Sequence, residues 1–268
     1  KTVGFVPTMG ALHEGHLSLV RLAKEHTDRV VASVFVNPTQ FGPNEDFARY
    51  PRQPERDAEM LASAGCDLLF LPEIETIYPE GHATFVEPSG PAIGLEGTFR
   101  PGHFRGVATV VSQLFNLVRP DVAVFGQKDA QQLAVIRRLV KDLHFPIQIV
   151  GAPTLREDDG LAMSSRNAYL QGEERRAATV LYRALTAAES ALAAGERSAN
   201  VLRQTMHEVL ASEPLVEIEY AEVVDAETFQ PVEIAAGDLV LPIAVRLGSV
   251  RKTRLIDNFQ LSAHPAEV

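Results

Sequence analysis

Apolar and polar positions along this chain switch between two periods. Short, continuous apolar runs, rich in β-branched residues, fall at 3–6, 30–36, 68–71, 122–125 and 147–150. Between them, longer stretches at 16–26, 54–64, 105–118 and 130–143 carry apolar residues three and four apart, with Gly65 and Pro120 as stops. The first pattern predicts strands buried on both faces; the second predicts amphipathic helices packed over them. Strict alternation of the two predicts an α/β fold, a Rossmann-like doubly wound parallel sheet that takes ligands at the carboxyl ends of its strands. Past Arg166 the pattern changes. Residues 172–195 and 198–211 read as helices, and 216–224, 238–246 and 254–258 read as strands. This predicts a smaller C-terminal α+β domain, with boundaries at 1–168 and 169–268. The polar segment 41–54 holds three prolines and reads as a wall of the site. There are no internal repeats.

Three polar motifs directly follow predicted strands. They are Pro7-Thr8-Met9-Gly10-Ala11-Leu12-His13-Glu14-Gly15-His16, Asn37-Pro38-Thr39-Gln40 and Gly126-Gln127-Lys128-Asp129. A strand-to-helix turn of the first kind points backbone N–H groups at whatever lies above it, and the helix dipole adds positive charge, so the place suits phosphate. Three residues apart, His13 and His16 share a face on a helix, and Gly15 between them lets a flat ring approach the backbone. Zinc is a poorer reading, because helical zinc histidines stand four apart and no cysteine is near. A simple capping or packing role is the plain alternative. The phosphate reading gains from a distant second motif, Gly160-Leu161-Ala162-Met163-Ser164-Ser165-Arg166-Asn167.

Composition narrows the partners. The chain has 268 residues, 46% of them hydrophobic, with no tryptophan and a formal net charge of −10. That charge excludes a general nucleic-acid surface. The single cysteine, Cys66, permits no internal disulfide and fits a reducing, cytoplasmic setting; no signal peptide or membrane-length apolar run is visible. Anionic ligands on an acidic protein require local positive charge. Lys128 and Arg166 lie in the motifs, with Arg100, Arg105, Arg49 and Arg52 as lesser candidates.

A His-x-Gly-His turn with a distant Met-Ser-Ser-Arg loop is similar to the arrangement in adenylate-forming nucleotidyltransferases. Over almost its whole length the chain resembles, more narrowly, the pantoate–β-alanine ligase (pantothenate synthetase) family. The resemblance rests on the motifs above and on Phe35-Val36-Asn37-Pro38-Thr39-Gln40-Phe41 and Glu45-Asp46-Phe47-Ala48-Arg49-Tyr50-Pro51-Arg52. It extends through Arg100-Pro101-Gly102-His103-Phe104-Arg105-Gly106-Val107, Phe125-Gly126-Gln127-Lys128-Asp129-Ala130-Gln131-Gln132-Leu133 and Thr253-Arg254-Leu255-Ile256-Asp257-Asn258. Two departures stand out: Gln127 where glutamate is common, and Thr39 where methionine is common.

The resemblance implies that ATP and a magnesium ion are used to join pantoate to β-alanine through a pantoyl adenylate, in a cytoplasmic homodimer whose C-terminal domain closes over the site. It also implies a helix ahead of the first strand. ATP would be bound by Met9, Gly10, His13, Gly15, His16, Gly126, Gln127, Lys128, Asp129, Leu155, Met163, Ser164, Ser165 and Arg166. Of these, His13, His16, Lys128 and Arg166 would carry the chemistry, with His16 as proton donor or as a positioning group only. Asp129 would hold the ribose, cap the following helix, or do both. Gln40 would contact pantoate and β-alanine, Gln132 pantoate, and Asn37 would join them in the substrate pocket. Asp46 is the nearest guess for a metal ligand. Two other readings compete: an enzyme adenylating a phosphorylated cofactor precursor, which would want cations where Gln40 and Gln132 stand, and a nucleotide sensor without turnover.

Overall fold

The computed structural model describes residues 1–42, 47–249 and 252–263. They fall into two compact units. The first comprises Lys1–Gln127 and Gln131–Leu155; the second takes Lys128–Ala130 and the chain from Arg156 onward.

The first unit runs β1 (Val3–Thr8), α1 (Glu14–His26), β2 (Arg29–Val34), α2 (Pro54–Ser63), β3 (Leu68–Phe70), α3 (Ile74–Ile77), α4 (Glu96–Phe99), α5 (His103–Val118), β4 (Val122–Gly126), α6 (Ala130–Asp142) and β5 (Gln148–Ala152). Its five strands are all parallel, in the order β3-β2-β1-β4-β5. Successive strand residues feed opposite faces, as the pleat requires. Phe5, Ala123 and Phe125 pack with Val107, Val111, Phe115, Leu133 and Ile136 on one side. Val6, Val122 and Val124 pack with Leu17, Val20 and Leu61 on the other. Burial on both faces is why these strands read as unbroken apolar runs. The chain leaves β1 towards β2 on one side and returns later to β4 on the other, so β1 and β4 flank the switch point where such sheets bind ligands. Their ladder, Gly4↔Val122 and Phe5↔Ala123, stops short of the carboxyl ends.

All five expected strands and four expected helices of this unit are present. One boundary differs in a way that matters: the first helix begins at Glu14, and His13 stands outside it in an extended conformation as its N-cap. The short helices α3 and α4 carry too few residues for a periodic signal.

In the second unit, α7 (Gly172–Ala177), α8 (Val180–Ala193) and α9 (Ala199–Ala211) pack on an antiparallel sheet of β6 (Val216–Ala221), β7 (Val224–Asp225), β8 (Gly237–Leu247) and β9 (Thr253–Ala263). Residues 172–195 thus form two helices where the periodicity predicts one. Thr179 lies at the break, its hydroxyl donating to Arg176 O at 2.9 Å, which competes with the helical ladder. The expected strand at 216–224 also divides, both parts pairing with β8, with a register shift between Ile218 and Tyr220. Long β8 and β9 pair over their whole length. The loop that follows β5 belongs to this unit because Arg156 forks onto the Asp257 carboxylate of β9 at 2.7 and 2.9 Å. The Arg156 guanidinium also lies 5.1 Å from the ring centroids of both Tyr182 and Phe259. No helix among the described residues is long and apolar enough to cross a membrane.

Candidate active site

The loops after β2, β1 and β4 leave three adjacent strands at the same edge of the first unit's sheet. The middle loop holds the histidines. As N-cap of α1, His13 accepts the Gly15 N–H on Nδ1 at 3.2 Å, while His16 Nδ1 accepts the His13 N–H at 3.3 Å. This is a capping box built from two imidazoles where Ser and Glu usually serve. The ring centroids lie 4.1 Å apart. A nitrogen that accepts carries no proton, so each neutral ring holds its proton on Nε2.

Several backbone N–H groups of this turn have partners within the protein. The Gly10 N–H goes to Thr8 Oγ1, those of Ala11 and Leu12 to Asp57, and that of His16 to His13 O. Both imidazoles carry their proton on Nε2, at the positive end of the α1 dipole. Gly10 has a positive φ of 79°, and a Cβ there would sit 2.9 Å from Asp57 Oδ2 and Val34 Cγ1.

Beyond β2, Asn37 and Gln40 are buried, at 1% and 8% exposure. Asn37 Nδ2 donates to Gln40 Oε1 at 2.9 Å and to Gly106 O at 3.1 Å. Its Oδ1 accepts from Thr39 Oγ1 at 2.9 Å and from Tyr78 OH at 2.8 Å. The Asn37 amide thus fixes the Gln40 side chain from behind. The Gln40 carbonyl accepts from Arg100 Nη2 at 3.2 Å and from His103 Nδ1 at 3.0 Å. Since a carbonyl can only accept, His103 carries its proton on Nδ1, and its Nε2 takes the Arg100 Nη1 donor at 3.1 Å. Burial pushes the Tyr78 hydroxyl above the ordinary value of 10, so it stays a donor at neutral pH.

At the end of β4, Gly126 is half-buried and has open space where a side chain would stand. Gln127–Asp129 form one 3-10 turn ahead of α6. Gln132, on the first turn of α6, is half-buried. Its neighbour Gln131 is structural, holding Pro91 O, Gly94 O and the Glu96 N–H. Leu155 is 37% exposed.

Lys128 and Asp129 group with the second unit, where Asn258 Nδ2 donates to Lys128 O at 2.8 Å. In the same unit, Met163, Ser164, Ser165 and Arg166 are half-buried. Ser164 Oγ caps the 3-10 turn 165–169 by accepting the Arg166 N–H at 3.3 Å. Asn167 anchors this loop, donating to Glu157 Oε1 at 2.8 Å and to Ala162 O at 3.1 Å, and Arg175 ties down Glu157 and Asp159.

Of the lesser cations, Arg52 is spent on Phe47 O and Tyr50 O, and Arg105 on Glu87 and the face of Phe85. Arg100 pairs with Glu96 at 3.8 Å besides holding Gln40 O. Arg49 is exposed. Asp46 lies outside the described residues. Motif reading missed Asp57, Tyr78 and His103; the first two lie outside every chemical motif, and only contacts far apart in sequence expose them.

The site thus sets two imidazoles, each capping the start of a helix, beside the switch point of a doubly wound α/β sheet. The family model described as pantoate-beta-alanine ligase matches residues 1–260, and the chain belongs to that family. It is 58% identical over 257 residues to pantothenate synthetase of Herpetosiphon aurantiacus, covering 96% of this chain and 92% of that protein. Over 258 residues it is 57% identical to pantothenate synthetase of Heliobacterium modesticaldum, covering 96% and 91%. Among solved structures, pantothenate synthetase from Thermus thermophilus superposes with a TM-score of 0.93 at 51% identity, covering 99% of this chain and 94% of that one. The ligase from Francisella tularensis, complexed with beta-gamma ATP and beta-alanine, gives 0.76 at 37% identity, covering 96% and 89%.

Proposed function

We infer that the chain catalyses its family's reaction, the ATP-dependent condensation of pantoate with β-alanine. A carboxylate does not form an amide at neutral pH, because its oxygen leaves poorly. Attack of the pantoate carboxylate on the α-phosphorus of ATP expels pyrophosphate and gives pantoyl adenylate. The β-alanine amine then attacks the acyl carbon and AMP leaves with the electron pair of the broken C–O bond. Charge builds on phosphate oxygens in the first step, so fixed donors and cations carry catalysis.

The observation that carries this reading is the reciprocal cap of His13 and His16, two Nε2–H donors held beside the carboxyl ends of β1 and β4. A carboxylate nucleophile needs no base, so we assign the histidines to holding phosphate. Lys128 and Arg166 add charge to the same phosphates, with Ser164, Ser165 and Met163 on the Arg166 loop. Met9, Gly10, Gly15, Gly126, Gln127 and Leu155 complete the nucleotide contacts, and Asp129 takes the ribose. Gln40 and Gln132 read the hydroxyls and carboxylate of pantoate, Gln40 also meeting β-alanine; the amide of Asn37 supports Gln40. Uncharged amides suit a hydroxylated carboxylate better than a phosphorylated acid.

Magnesium enters with ATP, bound to the triphosphate and keeping several of its waters. Among the described residues no group of three His, Cys, Asp or Glu is placed to hold a metal. A cytoplasmic homodimer is part of the same proposal and rests on the family.

The test is pyrophosphate release on mixing the protein with ATP, magnesium and pantoate without amine, and faster AMP release on adding β-alanine. Appearance of ADP and phosphate would place the attack at the γ-phosphate and overturn the reading.

A further inference from the structure

One buried acid has no part in the chemistry above. Asp57 lies in the first turn of α2, at 1% exposure, and spends both carboxylate oxygens on the loop between β1 and α1. Oδ2 accepts the Ala11 N–H at 3.0 Å and Oδ1 accepts the Leu12 N–H at 2.9 Å, across 46 and 45 residues of sequence. The loop is in a conformation it would not keep unaided. Ala11 has φ of +51° and Gly10 has φ of +79°, so two consecutive residues are left-handed and one of them carries a side chain. Gly10 is also the one residue type that fits against Asp57 Oδ2. A carboxylate accepts at both oxygens, whereas an amide would turn a donor towards one of the two N–H groups. The position at the start of α2 places this charge at the favourable end of a helix dipole.

We propose that Asp57 is a positioning residue for adenylation: by gripping Ala11 and Leu12 it sets the His13–His16 cap and aims the two Nε2–H donors at the phosphates. Leu12 is joined directly to His13, so a shift of the Leu12 amide moves the N-cap. The Nδ1 bonds that fix the imidazole tautomers are made to the backbone of this same turn. Displacing a catalytic group by about 1 Å can cost on the order of 10²-fold in rate. The inference rests on the adenylation reading, which wild-type pyrophosphate release tests separately.

The experiment is a double-mutant cycle on pantoate-dependent pyrophosphate release, with Asp57→Asn, His16→Ala and the double variant. Asp57→Asn is expected to lower kcat at least tenfold, with melting by circular dichroism retained. In the His16→Ala background the same change is expected to cost less than about twofold, because the group it positions is gone. The imidazole ¹⁵N spectrum of wild-type protein should show the Nε2–H tautomer at His16, and Asp57→Asn should mix in the other form. Should Asp57→Asn fail to fold, Gly10→Ala carries the test, since its Cβ would displace Oδ2; the same loss and the same non-additivity are expected. Full wild-type kcat in Asp57→Asn, or an equal loss in both backgrounds, would overturn the proposal. If wild-type protein releases no pyrophosphate, the function itself fails, and the ¹⁵N comparison still decides whether Asp57 sets the turn.

Discussion

The N–H of His13 donates to Nδ1 of His16 at 3.3 Å, and the two rings stand 4.1 Å apart between centroids. The bond makes His16 at once the third residue of α1 and the partner of its own N-cap. A residue placed so has one ring nitrogen committed to the fold and the other held in a fixed protonation state. Its removal therefore loosens the helix start and, on the proposed function, takes away a phosphate donor as well. We expect His16→Ala, and likewise Lys128→Ala and Arg166→Ala, to reduce adenylation by on the order of 10²-fold or more. Quenched-flow measurement of pyrophosphate checks this; a rate near wild type for Lys128→Ala would remove that residue from the site.

On the proposed function, substrate choice follows from the amide network after β2. Asn37→Ala leaves Gln40 Oε1 and Gly106 O without the amide donor they share. It should raise the pantoate KM by about the equivalent of 1–3 kcal/mol, with the ATP KM nearly unchanged. Gln132→Ala should weaken pantoate alone, and Gln40→Ala should weaken pantoate and slow β-alanine capture. Apparent KM values for all three substrates check this. Equal losses for ATP and pantoate would withdraw the pocket assignment.

The second unit has its own test. Asp257 is 2% exposed and holds Arg156 with two hydrogen bonds, while Arg156 also reaches Gly160 O and Asn258 O. Asp257→Ala leaves a largely buried guanidinium uncompensated and should cost about 3–5 kcal/mol of stability. Gly160→Ala should also destabilise, since φ is +90° and a Cβ would lie 2.1 Å from the Tyr182 ring. Thermal melting followed by circular dichroism measures both.

Acid sensitivity has a definite sign at Asp67. The Val30 N–H, with the Arg29 guanidinium, holds its carboxyl below the ordinary 3.8. A depressed folded pKa gives stability that is present above about pH 4 and lost as pH falls through the lower, folded value. The melting-temperature gap between wild type and Asp67→Asn should therefore be constant from about pH 7 to about pH 5 and close below about pH 4. A gap that widens on acidification would contradict the assignment.

By itself the sequence determined the order of strands and helices in the first unit and the family. Burial on both faces of a parallel sheet writes itself as local apolar runs, and strand ends are where those runs stop. Val3–Thr8 and Val122–Gly126 are legible for that reason. Tertiary structure alone decided what these residues rest on. That His13 is a cap outside α1, that Asp57 grips Ala11 and Leu12, and that Asn258 holds Lys128 O across 130 residues are matters of hydrogen bonds that no periodicity announces. Such bonds have no period and no composition of their own, because a single carboxylate or amide suffices for each. They exist only once the packed sheet and helices have brought the two ends within about 3 Å.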